Sequence, residues 1–170
     1  MTSTPGTAAR LSRLLAEIRV DRDALAVRGK DIAERLGRTA DRGPSRDEIL
    51  VLAMNLHGWY TALETLLERV ARLLDESVPT GSSWHAELLD QMGVEVAGLR
   101  PAVLDRANRV DFSELRKFRH FFRNAYVFNF DAARVLSHAE RVSRVEPSTL
   151  AGIARLEAHL VAVLAELAVS

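Results

Sequence analysis

The chain of 170 residues contains no cysteine. That excludes a disulfide framework and a zinc–thiolate site, and it is compatible with a reducing cytosol. Lysine is almost absent: Lys30 and Lys117 are the only two, so nearly all the positive charge is arginine. Net charge is absent too, because 23 basic residues balance 23 acidic ones. A general nucleic-acid coat needs a large basic excess, so only a local basic patch stays open. No run of about 18 apolar residues is present, which excludes a membrane-spanning helix. Met1 to Arg10 is small and polar and lacks the apolar core of a secretory signal. No segment alternates with period two for long enough to form a sheet. These absences leave a soluble, cytoplasmic, all-α protein.

What is present fits that class. The chain is 48% hydrophobic and 27% charged, ordinary usage for a globular protein, and its length suits a single domain over residues 1–170. Leu11, Leu14, Leu15, Ile18, Leu25, Ile32 and Leu36 recur at helical spacing and predict a first helix over Thr7 to Leu36. Gly29 weakens it locally and Gly37 is a candidate C-cap. Ser45-Arg46-Asp47-Glu48 is a capping box, and the helix it opens runs to about Glu76, before Pro79 and Gly81. A short helix over Trp84 to Met92 follows, then a partly irregular stretch from Gly93 to Asn108. A fourth helix starts near Asp111 or Ser113, either of which is a candidate cap, and runs through Tyr126. A fifth begins near Asp131, and a last one follows Pro147-Ser148. The expected architecture is an antiparallel helical bundle of five to six helices with short connections.

The fourth helix carries the chemistry. At about 100° per residue, Leu115, Phe118, Phe121, Phe122, Ala125 and Phe128 share one arc, which reads as core. Arg116, Arg119, His120, Arg123, Asn124 and Tyr126 share the opposite arc. Three guanidiniums this close repel one another unless an anion lies between them, and Asp111 and Glu114 are the nearby acids in sequence. Phosphate is the external anion that guanidinium recognises in bidentate fashion. A solvated, salt-bridged helix face is the plain alternative on spacing alone.

The string Phe118-Arg119-His120-Phe121-Phe122-Arg123-Asn124-Ala125-Tyr126 resembles the signature of HepT-like proteins of the HEPN ribonuclease superfamily. That signature is an Arg, four residues, a His, one residue and a Tyr. Leu56-His57-Gly58-Trp59-Tyr60 with Leu63-Glu64 is similar to the long second helix of the same group. Trp84-His85, Leu88-Leu89 and Gln91-Met92 resemble its third-helix motif, and Arg100-Pro101-Ala102-Val103-Leu104 the loop before the signature helix. The resemblance spans roughly residues 45 to 135.

The resemblance implies a dimeric helical bundle that cleaves RNA without a metal. It implies a toxin paired with a small nucleotidyltransferase antitoxin of the MNT type, which adenylylates the signature tyrosine, here Tyr126. In that scheme Arg119 stabilises the phosphorane, Arg116 and Arg123 hold flanking phosphates, and a histidine moves protons. Asn124 stands where the family has that histidine, and an amide exchanges no proton at neutral pH. Three readings follow: a deliberate His-to-Asn change that silences a harmful enzyme, a naturally inactive member, or proton transfer by His120, one turn earlier. His57 and His85 read as structural, with His57 able to approach the cleft, and His138 and His159 as packing or surface residues. No histidine pair has metal-ligand spacing with a carboxylate, so neither metal nor cofactor is expected. The rival to the ribonuclease is a non-catalytic helical module whose arginine face binds an acidic or nucleotide partner. A narrower rival is a protein that serves chiefly as the substrate of the adenylyltransferase.

Overall fold

The computed structural model describes residues 4–39, 42–124 and 130–169. Five α-helices account for most of them: α1 (Thr4–Thr39), α2 (Arg46–Val70), α3 (Trp84–Met92), α4 (Arg109–Arg123) and α5 (Ala132–Val169). No strand occurs among the described residues; a single bridge pairs Val96 with Arg100. The protein is an all-α helical bundle.

Cross-helix contacts give the directions. Glu17 of α1 meets Arg69 of α2, and Asp31 meets Asn55, so α1 and α2 run antiparallel. Arg22 of α1 holds Glu157 of α5 through two bonds of 2.9 and 2.8 Å, and Gly29 lies against Glu146, so α5 is antiparallel to α1 as well. α4 is antiparallel to α2 (Arg119 beside Glu64, Phe122 beside His57) and to α5 (Asp111 beside Arg141 and Arg144, Phe118 beside His138). The core between them holds Leu14, Ile18, Leu25 and Ile32 of α1, Leu52, Leu56, Trp59 and Leu63 of α2, Phe112 and Leu115 of α4, and Val142, Ile153 and Leu156 of α5. Each set recurs at three- and four-residue steps, which is why amphipathic helices rather than strands form here.

α2 begins as its sequence predicts. The Ser45 hydroxyl accepts from the Glu48 amide at 3.3 Å, and the Glu48 carboxylate accepts from the Ser45 amide at 2.9 Å. After Val70 the chain widens into a π-helical turn, Ala71–Asp75, and stops at Glu76, whose φ of 51° is left-handed. α3 has the predicted bounds. The irregular stretch after it is fastened by Arg100, which is almost wholly buried. Its guanidinium grips Asp75 at 2.6 and 2.7 Å and donates to the carbonyls of Val94 and Gln91 at 2.8 and 3.1 Å.

Four expectations need correction. Gly29 and Gly37 do not interrupt or cap α1, which continues to Thr39. Neither Asp111 nor Ser113 caps α4: Asp105 caps a 3-10 turn, Arg106–Asn108, that runs straight into the helix, and Asp111 is spent on Arg141 and Arg144. Pro147 does not start a sixth helix but lies inside α5. A proline there forfeits one backbone bond, yet Val142, Val145, Thr149, Gly152, Ile153 and Leu156 stay on one buried stripe across it, and the exposed ring lies off that stripe. Lastly, the phenylalanine arc of α4 is not all core: Phe118 is buried, but Phe121 is half exposed.

Candidate active site

The site is built where α4 crosses α2. On α2, His57, Tyr60 and Glu64 fall at steps of three and four, so all three project from one side toward α4. On α4, Arg116, Arg119 and Arg123 do the same in return. The two helices thus face each other through polar groups in the middle of an apolar interface.

Glu64 is the centre of the arrangement. It is 5% exposed, and its Oε2 is 2.8 Å from Nη2 of Arg119. Its Oε1 is bonded to Nδ1 of His85, from α3. The His85 ring stacks on Trp84 with centroids 3.6 Å apart. A buried carboxylate needs partners on both oxygens, and Arg119 and His85 supply them. The carboxylate that Arg119 meets is Glu64, not Asp111 or Glu114. Asp111 pairs with α5, and Glu114 with Lys117 one turn along its own helix at 2.7 Å.

The neighbours of this ion pair feel it. Burial first, and then the Glu64 carboxylate, hold the Tyr60 phenol well above the ordinary tyrosine range, while Arg116 and Arg119 pull the other way. His57 lies over Phe122, with centroids 4.7 Å apart. Desolvation, followed by the positive charges of Arg119 and Arg123, holds its imidazole below the usual histidine value, so the ring stays neutral at neutral pH. Nε of Arg116, Nε of Arg119 and Nε2 of His57 are buried without a hydrogen-bond partner among the described residues. Arg123 is exposed at the end of α4.

The other residues of the signature lie elsewhere. His120 and Asn124 are both exposed, and they meet each other rather than Arg119. The Asn124 amide donates to the His120 carbonyl at 2.8 Å and lies 3.5 Å from His120 Nε2, closing the C-terminus of α4. Tyr126, the predicted adenylylation position, is outside the described residues, as are Ala125 and Phe128 of the apolar arc. Among the described residues no group of three His, Asp or Glu side chains is placed to hold a metal ion. No helix there is long and apolar enough to cross a membrane.

A family model described as HepT-like protein matches residues 51–160. The chain belongs to the HepT-like family. The matched span takes in α2 from its second turn, α3, α4 and most of α5, and so contains every residue of the Glu64 cluster. The chain is a HepT-like, HEPN-type helical bundle. No curated protein and no solved structure matches the chain.

Sequence reasoning passed over Glu64, Tyr60 and His85 as site residues and left His57 at the margin. The signal was present on α2: three groups that carry polar atoms, spaced 57, 60 and 64, interrupt an otherwise apolar stripe. Such groups are tolerated inside a helix interface when they have partners.

Proposed function

We propose that this HepT-like chain is the toxin of a toxin–antitoxin pair, a metal-independent endoribonuclease built as a single domain over residues 1–170. In this reading Arg119 stabilises the charge that develops on phosphorus, and Arg116 and Arg123 hold the flanking phosphates. The chain works in the cytoplasm as a homodimer. An MNT-type nucleotidyltransferase neutralises it by binding and by adenylylating Tyr126, which adds bulk and negative charge beside the arginines. The observation that carries the reading is the Arg119–Glu64 ion pair. The signature arginine is fixed by a buried carboxylate, with Arg116, Arg123 and a neutral imidazole beside it. Preorganised donors of this kind stabilise a transition state because they need no rearrangement when charge appears.

A second reading has an observation of its own. Asn124 spends its amide on the His120 carbonyl, a helix-capping role with no chemistry in it. A non-catalytic module whose arginines bind an acidic or nucleotide partner accommodates that role directly.

One experiment separates the two. Asn124→His should raise RNA cleavage roughly a hundred- to ten-thousand-fold and arrest the growth of cells that make it, and Arg119→Ala in the same background should abolish both. A well-folded Asn124→His protein that neither cleaves RNA nor harms cells, while still binding nucleotide through Arg116 and Arg123, leaves the module reading standing instead. Co-expression with an MNT-type nucleotidyltransferase should add an adenylyl mass at Tyr126, read by peptide mass spectrometry.

A further inference from the structure

Three helices meet at one carboxylate. Glu64 of α2 receives Arg119 of α4 on Oε2 and His85 of α3 on Oε1. A carboxylate accepts, so Nδ1 of His85 is the donor of that bond, and Nε2 carries the lone pair whenever the ring is neutral. The His85 side chain is 22% exposed, so that nitrogen belongs to a ring solvent can reach. An imidazole held through Nδ1 by a carboxylate is the arrangement that orients a base in hydrolytic triads. Here the same carboxylate also holds the arginine that would meet the phosphate.

Among the described residues none of the other four histidines is so placed. His120 faces Asn124 on the exposed end of α4 and has no tie to Arg119. His57 buries its Nε2 over Phe122. His138 is buried against Phe118, and His159 bonds the Leu99 carbonyl. Bundle stability does not account for Glu64 either. A buried ion pair is weak evidence for stability, because an apolar side chain of similar volume serves packing as well or better.

We infer that His85 is the proton acceptor of this chain and that Glu64 is its positioning residue, holding His85 and Arg119 in one register. The assignment rests on the ribonuclease reading above. In the step it describes, the 2′-hydroxyl of the RNA gives its proton to Nε2 of His85. The 2′-oxygen bonds to phosphorus as the bond from phosphorus to the 5′-oxygen breaks. That oxygen leaves with a proton from water, giving a 2′,3′-cyclic phosphate and a 5′-hydroxyl. Arg119 lies against the phosphoryl oxygens throughout. The loss of a histidine at Asn124 then lowers activity without erasing it.

The test uses a fluorescent single-stranded oligoribonucleotide and the intact chain, with Asn124→His as the reference for the ribonuclease reading. The native chain should cleave slowly and leave cyclic-phosphate ends. His85→Ala should lower kcat about a hundredfold with little change in KM, and imidazole in the buffer should restore part of it. Glu64→Gln should lower kcat comparably, and imidazole should not restore it. Nitrogen-15 spectra of the native imidazoles give a check that needs no variant to fold: the His85 proton should be on Nδ1. Native cleavage unaffected by His85→Ala overturns the assignment. So does a native chain that is silent while Asn124→His cleaves, or a His85 ring with its lone pair on Nδ1. If neither form cleaves RNA, the ribonuclease reading itself falls and takes this assignment with it.

Discussion

Arg100 shows how much one residue carries in this fold. Its side chain is 0% exposed, and Asp75, its counter-ion, is 8% exposed. Together they tie the end of the π-helical turn to the loop that leads into α4. Removing one partner of a buried pair strands the other charge, which costs more than the pair contributed. Asp75→Asn should therefore lower the unfolding free energy by about 3–5 kcal/mol, measured by urea denaturation with an unchanged slope. A loss under about 1 kcal/mol would mean that the carbonyls of Val94, Gln91 and Pro101 alone satisfy the guanidinium. The same scale explains which site residues the sequence disclosed. Arg116, Arg119 and Arg123 stand out because like charges crowd one short segment. Glu64 and His85 do not, because their partners are 55 and 21 residues away in number, on other helices. A carboxylate inside an apolar stripe is visible in the sequence, but what it holds depends on the crossing of α2, α3 and α4.

At the scale of the element, some local signals carry through to the fold and others do not: neither Asp111 nor Ser113 caps α4. The capping box at Ser45 and Glu48 satisfies two amides by side chains three residues apart, and α2 starts there. Pro147 and Gly37 do not end their helices, because each is only a penalty of about 1–3 kcal/mol and burial resumes beyond it, at Thr149 in α5 and Thr39 in α1. Helix interfaces also decide what a glycine is for. At Gly152 of α5 an added Cβ would lie 1.9 Å from the Val103 carbonyl oxygen, a backbone atom of the loop before α4. At Gly29 of α1 it would meet the carboxylate end of Glu146, a half-buried side chain that can swing aside. Gly152→Ala should accordingly destabilise by about 1–3 kcal/mol, as overpacking does. Gly29→Ala should stay within about 1 kcal/mol of the native protein, since alanine gains about that much in helix propensity. Thermal unfolding of the two variants side by side checks the contrast, and equal losses would show that Glu146 is fixed rather than yielding.

Across the whole molecule the charge is balanced at neutral pH, and the balance is arranged as pairs, so acid should undo it in two stages. His57 and His138 both have imidazoles held below the ordinary value of 6.5, in each case first by desolvation and then by a neighbouring arginine, Arg119 and Arg141 respectively. The unfolded chain therefore binds these protons more readily than the folded one. Their contribution to stability is complete above pH 6.5 and is lost as pH falls through and below it. The carboxylates follow. Glu17 is lowered by Arg13 and Arg69, Glu48 to about 2 by Arg42, Asp90 by Arg109, Asp111 by Arg144 and Arg141, and Glu114 by Lys117. Their contribution is complete above the ordinary carboxylate values of 3.8 and 4.5 and declines as pH drops toward the lowered ones. Glu146 has the opposite sign, since burial raises it, and it softens the second stage. Net positive charge grows at the same time, and self-repulsion adds to the loss. Urea midpoints should decline gently between about pH 6.5 and 5.5 and more steeply below about 4.5. His138→Phe, which keeps a ring against Phe118, should shrink the first stage to the share of His57 and leave the second in place. Midpoints that stay level down to pH 5.5 in the native protein would show that His57 and His138 are protonated in the fold. Arg119 and Arg141 would then have to be better screened from them than their positions indicate.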